Sequence, residues 1–255
     1  MPTLVHYIPI VTTLLAVPFS LEIFRRWRAH PDRLHLLWWA IGVAVYGVGT
    51  FTEAWTTLFG WNAFVFRSWY ISGALLGGAP LAQGTVYLMM KRTTAHLLTA
   101  TLILYVLIAS VAVVLAPIDL AAVEPHRLTG RVFGWPWVRL FSPVVNLYAV
   151  VFLIGGAVLS ALRYSADPTT RHRMYANILI AVGAILPGIG GTATRMGHTE
   201  VLYVTELVGL VLTWMGYRIS VRPASAKASF ESDQQRHEAE AIAVREGCAP
   251  QGAMR

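Results

Sequence analysis

A chain of 255 residues that is 56% apolar and only 13% charged, with a mean hydropathy of +0.56, falls well below the roughly 25% charge of soluble domains and is excluded from that class. Its net charge of +7 sits in short basic clusters between apolar runs, which is the pattern of membrane loops and not of a nucleic-acid surface. Cys248 is the single cysteine, so neither an internal disulfide nor a Cys/His metal framework is available.

Seven apolar windows follow one another at about 4–24, 35–57, 68–90, 97–116, 140–163, 175–194 and 200–220, each close to the ~20 residues a bilayer crossing needs. The expected fold is an all-α integral membrane protein: a bundle of seven transmembrane helices over residues 1–220, then a polar, largely flexible cytoplasmic tail over 221–255. The first window lacks the basic leader and cleavage site of a signal peptide and reads as a retained span. It carries Glu22, for which Arg26 offers a partner four residues on, and Pro18, a candidate kink. The second holds Glu53, about four residues from its far end. The third, "SGALLGGAPLAQG", pairs Gly73 with Gly77 at the spacing that lets helix backbones approach, and adds Pro80 and Gln83. A long connection, "PIDLAAVEPHRLTGRVFGWPWVR", precedes the fifth window, where Gly156 and Ser160 repeat the small-residue spacing and Asn146 is polar. In the sixth, "NILIAVGAILPGIGGTATR", Pro187 removes a backbone hydrogen bond and Gly188, Gly190 and Gly191 weaken the next turn, making a candidate hinge that must be buried in protein or line a wet cavity. The seventh, "VLYVTELVGLVLTWMGYRIS", contains Glu206. Beyond it the composition is polar, with a short helix allowed over 231–245.

Orientation follows from Lys and Arg. Twelve lie in the connections on one side and five (Arg67, Arg127, Arg131, Arg139, Arg195) on the other, which predicts an outside N-terminus and a cytoplasmic tail. Eight of the nine tryptophans fall near span ends, as interface belts do.

Intramembrane charges cost about 2.5–3.5 kcal/mol each at the bilayer centre, so Glu53 and Glu206 call for partners. By helical rise both lie in the outer third of their spans, level with Asn146, while Gln83 is deeper. Arg67, Arg139 and Arg195 mark the outer rims of spans three, five and six. Two readings stand side by side. These groups form a polar network that ties helices together, with Glu–Arg pairs snorkelling to the interface; or they converge on an outward-facing ligand or proton site.

Other chemistries fit poorly. A retinal Schiff base needs a lysine in the last span, and the two lysines, Lys91 and Lys227, fall outside every window. Haem or zinc within the bundle needs histidines inside the spans, whereas these histidines sit in loops, at span edges or in the tail. Serine and cysteine nucleophile motifs are missing, which leaves a lipid-modifying enzyme as the weakest reading.

The segments "WYISGALLGGAPLAQGTVYLMMKR", "FSPVVNLYAVVFLIGGAVLSALRY" and "NILIAVGAILPGIGGTATRMG" resemble a group of uncharacterised bacterial seven-helix membrane proteins. More distantly, they are similar to the seven-helix sensor modules of some histidine kinases. The resemblance covers about residues 1–220 and implies a multi-pass protein of a bacterial cytoplasmic membrane. A tail of this length leaves no room for a kinase output domain. The functional expectation is a receptor-like or ligand-binding module in the lipid bilayer, passing any signal to a separate membrane or cytoplasmic protein. A structural or accessory subunit of a larger complex and a small proton-coupled transporter are the alternatives.

Overall fold

In the computed structural model the described residues are 4–124, 127–166 and 170–221; the polar tail and the helix expected over 231–245 lie outside them. The helices are α1 Ile8–Ala29, α2 Leu34–Phe59, α3 Ala63–Trp69, α4 Ala79–Met89, α5 Arg92–Leu115, α6 Phe141–Ala149, α7 Gly155–Ser165, α8 Arg171–Arg195 and α9 Thr199–Val221. Wider π-helical turns, Tyr70–Leu76 and Val150–Ile154, join α3 toward α4 and α6 to α7. Among the described residues there is no strand, only the antiparallel bridges Ile118↔Phe133 and Glu124↔Arg127.

Six helical stretches are long and apolar enough to cross a membrane: Leu4–Ala29, Leu34–Phe59, Arg92–Leu115, Pro136–Ser165, Arg171–Arg195 and Thr199–Val221. Many of their large apolar side chains face outward, unlike those of a soluble bundle, whose helices turn the apolar stripe to the core. On α2 the buried face is Gly47, Thr50, Thr52, Glu53 and Thr56, while Phe51, Trp55, Leu58 and Phe59 point outward. On α5 the outward residues are Leu97, Leu104, Leu107, Ile108, Val111 and Leu115. Such a surface suits hydrocarbon, where internal backbone hydrogen bonding also makes helices the natural spanning form. The chain is a multi-pass membrane protein.

The window at 68–90 is not one helix. Asn62 caps the start of α3, its Oδ1 accepting from the backbone N–H groups of Phe64 (2.8 Å) and Val65 (3.4 Å). The helix then widens and breaks at Gly77, whose φ of +33° lies in the region that favours glycine. Pro80 sits in the first turn of α4, where its missing N–H costs nothing, so it starts a new helix within the third apolar window. Gln83, fully buried in α4, clamps the neighbours. Its Nε2 donates to the Ala95 carbonyl (3.1 Å) and Thr99 Oγ1 (2.8 Å) of α5, and its Oε1 accepts from the Tyr148 hydroxyl.

Close helix pairs are set by glycine. A Cβ on Gly42 of α2 would lie 2.9 Å from the Leu81 backbone nitrogen of α4, and the Trp39 indole N–H donates to the Leu81 carbonyl (3.2 Å). The tightest pair is α8 against α9. A Cβ on Gly183 would meet the Gly209 carbonyl oxygen at 2.6 Å, one on Gly209 would meet the Gly183 carbonyl oxygen at 2.6 Å, and one on Gly190 would lie 2.7 Å from the Leu202 Cα. Pro187 has no N–H to offer the carbonyl four residues back. The carbonyl it releases, that of Gly183, turns against Gly209, a Cα–H···O approach that only small residues permit.

Glu22 corrects the sequence reading. Its carboxylate does not pair with Arg26 along its own helix. It crosses to α9, where Arg218 Nη2 lies at 3.0 Å and the Trp214 indole N–H donates at 2.9 Å. Phe19 stacks on Trp214 (5.4 Å between ring centroids), which holds α9 where both donors reach Glu22. Two donors on one facing helix satisfy more of the carboxylate than a single flexible i,i+4 contact.

The 117–139 connection is a packed cap. Leu128, Val132, Phe133 and Val138 share a buried cluster with Phe66, Tyr70 and Val113. Two arginines bind helix-end carbonyls there: Arg67 Nη2 donates to Ala116 O after α5 (3.1 Å), and Arg127 Nη2 to Thr194 O near the end of α8 (2.8 Å). Cations at helix C-termini also meet the favourable end of the helix dipole.

Candidate functional site

A cavity of about 1400 Å³ lies between α2, the π segment, α6, α8 and α9 beneath the 117–139 cap. The fold opens it by local sequence choices. Gly77 and Gly78, where the third segment breaks, line the cavity, and Asn146 of α6 faces that break, its Oδ1 3.6 Å from where a Gly77 Cβ would stand. On α8, Gly188 and Gly191 have nothing within 4 Å of an added Cβ, and both line the cavity. The PGIGG run therefore divides its labour. Gly190 faces the α9 contact while Gly188 and Gly191 keep the wall open, and α8 continues as helix past Pro187 to Arg195.

Glu53 and Glu206 meet here, brought together from α2 and α9. Glu53 is only 4% exposed, and its Oε1 accepts from the Trp69 indole N–H at 2.9 Å. Oε2 of Glu53 and Oε2 of Glu206 are sealed from solvent with no N–H or O–H donor from another residue. The two carboxyls are near neighbours that act on each other electrostatically. Two like charges at that range repel, and a proton shared between them relieves the repulsion. The Tyr46 hydroxyl donates to the Glu206 backbone carbonyl (3.0 Å) and fastens α9 to α2 beside the pair.

Arg131, Arg139 and Arg195 line the same cavity at its capped end. Among the described residues the ion pairs are Arg127–Glu124 and Arg218–Glu22, so no described carboxylate neutralises these three. Tyr70, 4% exposed, lines the cavity and follows Trp69, which binds Glu53. Its hydroxyl accepts from Ser142 Oγ (3.2 Å), and Arg139 and Arg195 both act on it electrostatically. The Gly183–Gly209 and Gly190–Leu202 contacts fix the α8–α9 register. In that register Glu206 stands level with the turn around Pro187, and Arg195 lies roughly 12 Å farther along α8 at 1.5 Å per residue.

Of the residues singled out in the sequence, Glu53, Glu206, Asn146, Arg139, Arg195, Pro187, Gly188 and Gly191 border this cavity. Gln83 and Arg67 are engaged elsewhere, as helix clamp and helix-end cap. Trp69, Tyr70 and Arg131 join the site without having been marked as such. Trp69 read as interface belt, and its only sequence signal is its place one short turn after the α2 segment that carries Glu53. Comparison with known proteins finds no matching family model, no matching curated protein and no matching solved structure.

Proposed function

We propose that the protein is a receptor-like, ligand-binding membrane module with seven crossings, an outside N-terminus and an outward-facing cavity, in the cytoplasmic membrane of a bacterium. The broken Ala63–Met89 segment supplies the seventh crossing, packed between α2 and α5 through Gly42 and Gln83. The observation that carries the reading is the buried Glu53–Glu206 contact inside a large cavity, with two sealed carboxyl oxygens that other residues leave without donors. A merely structural carboxylate would have its lone pairs satisfied by protein, as Glu22 does with Trp214 and Arg218. Perturbable acidic groups in a cavity of mostly apolar lining are the usual core of a small-molecule site. Pro187, with its missing hydrogen bond, is where the α8 wall yields on binding. Any signal passes to a separate membrane or cytoplasmic protein.

Two neighbouring buried carboxyls that can share a proton favour a second reading, a small proton-coupled carrier using the same cavity.

Gly191→Leu tests the ligand reading. The added side chain enters open space, so folding stays within about 0.5 kcal/mol of the parent, while the cavity is partly filled. Mass spectrometry of protein extracted with its surrounding lipid should find a small molecule retained by the parent and lost from the variant. Equal retention by both, or none by the parent, contradicts the reading.

A further inference from the structure

The order of polar groups along the cavity points to the chemistry of its occupant. Three guanidinium groups without carboxylate partners, those of Arg131, Arg139 and Arg195, stand at the capped end. Next come the Tyr70 and Ser142 hydroxyls. The carboxyl pair follows roughly two helical turns below. Beyond it the lining gathers Val43, Phe19, Ile23, Leu153 and Ile180, with Asn177, Arg173 and Thr213 on the α8–α9 side. Cation, hydroxyl, uncharged-capable carboxyl and hydrocarbon is the sequence of environments met by a membrane lipid with an anionic headgroup. Arginine forks suit phosphate oxygens bidentately. Tyr70 has an O–H still to donate, since its oxygen accepts from Ser142. The carboxyl pair stands where a headgroup gives way to its chains, and the outward apolar faces of the helices put the cavity within reach of the bilayer as a source.

We infer that the cavity binds a bilayer lipid with an anionic headgroup, its phosphate held by Arg139 and Arg195 with Tyr70 and its acyl chain lying along the apolar wall below Glu53 and Glu206. This rests on reading the cavity as a ligand site and adds the class of ligand.

The test uses the full chain in detergent micelles doped with equal amounts of phosphatidylglycerol and phosphatidylcholine of the same acyl chains, with retained lipid read by native mass spectrometry. The parent should retain phosphatidylglycerol in preference. Arg139→Gln combined with Arg195→Gln should remove that preference, at about fivefold for each guanidinium lost, with unchanged thermal unfolding. Gly191→Leu should reduce retention of both lipids. Equal retention of the two lipids by the parent overturns the inference. So does undiminished phosphatidylglycerol on Gly191→Leu, which would assign the lipid to the outer surface. Displacement of the lipid by free glycerol phosphate overturns it too, since the site would then take a soluble anion. If the parent retains some other small molecule, the lipid inference fails and the cavity reading survives; if it retains nothing, both fail.

Discussion

Gly209→Ala is expected to lower the stability of the protein in detergent by about 1–3 kcal/mol, the range for a methyl forced into a filled contact. The new Cβ would lie 2.6 Å from the Gly183 carbonyl oxygen and 3.1 Å from Pro187 Cδ, and neither backbone nor proline ring can swing aside. Relief requires α8 and α9 to separate, which also disturbs the register that sets Glu206 opposite Glu53. Gly183→Ala meets the reciprocal obstacle in the Gly209 carbonyl and should cost a similar amount. The double variant should cost less than the sum, because once the helices part the second methyl meets less resistance. Gly188→Ala, five residues beyond Gly183 on α8 and facing open space, is the control and should be neutral or slightly stabilising through helix propensity. Thermal unfolding of the four variants reads all of this. Equal loss in Gly188→Ala and Gly209→Ala would show that glycine matters to α8 for flexibility and not for contact.

Glu206 should separate sharply by what replaces it. In Glu206→Gln the amide can donate an N–H to the Glu53 carboxylate, so the contact survives and stability should stay within about 1 kcal/mol of the parent. Glu206→Ala removes the partner and leaves Glu53 Oε2, already without another donor, buried and unsatisfied, at a cost of about 1–3 kcal/mol. The Trp69 indole, bonded to the other oxygen of Glu53, should report the same difference as a shift in tryptophan emission present in Glu206→Ala and absent in Glu206→Gln. Identical behaviour of the two variants would mean that the carboxyls do not serve each other. The two functional readings also divide here. A carrier that exchanges the shared proton stops working in Glu206→Gln while remaining folded, whereas a receptor cavity that only needs a donor and acceptor at that point keeps its ligand.

Hydropathy and basic residues made the membrane class and most helices legible, because the length and apolarity of a span are properties of one contiguous segment. The third window shows the limit of that averaging. Gly77, Gly78 and Pro80 were visible, yet a window wide enough to detect a span smooths over the two residues that break it. For the site, counting helical rise gave depth and set Glu53, Asn146 and Glu206 level; all three line the cavity. Rise says nothing about rotation about the helix axis or about which helices are neighbours. Depth alone therefore left Gln83 between a pocket and a polar network, where the structure shows it bonding Ala95, Thr99 and Tyr148, and Glu22 was given an intrahelical partner when α9 supplied two. The α8–α9 interlock had a faint trace, since Gly183 and Gly190 on one helix and Gly209 and Gly216 on the next are each seven apart. Only the packed structure reveals that these two sets face each other and that Pro187 frees the carbonyl between them.

Seven crossings require the broken third segment to pass through the bilayer, since that crossing sends α2 and α9 in opposite directions and so sets Glu53, late in α2, level with Glu206, early in α9. Single cysteines placed at the two ends of that segment, Phe64→Cys and Lys91→Cys, each with Cys248→Ser, test it in intact cells with a membrane-impermeant thiol reagent. Phe64→Cys should be labelled from outside, and Lys91→Cys only after the cells are opened. Labelling of both from the same side would mean that residues 63–89 dip into the membrane and return, and the seven-crossing arrangement with its outward cavity would be wrong.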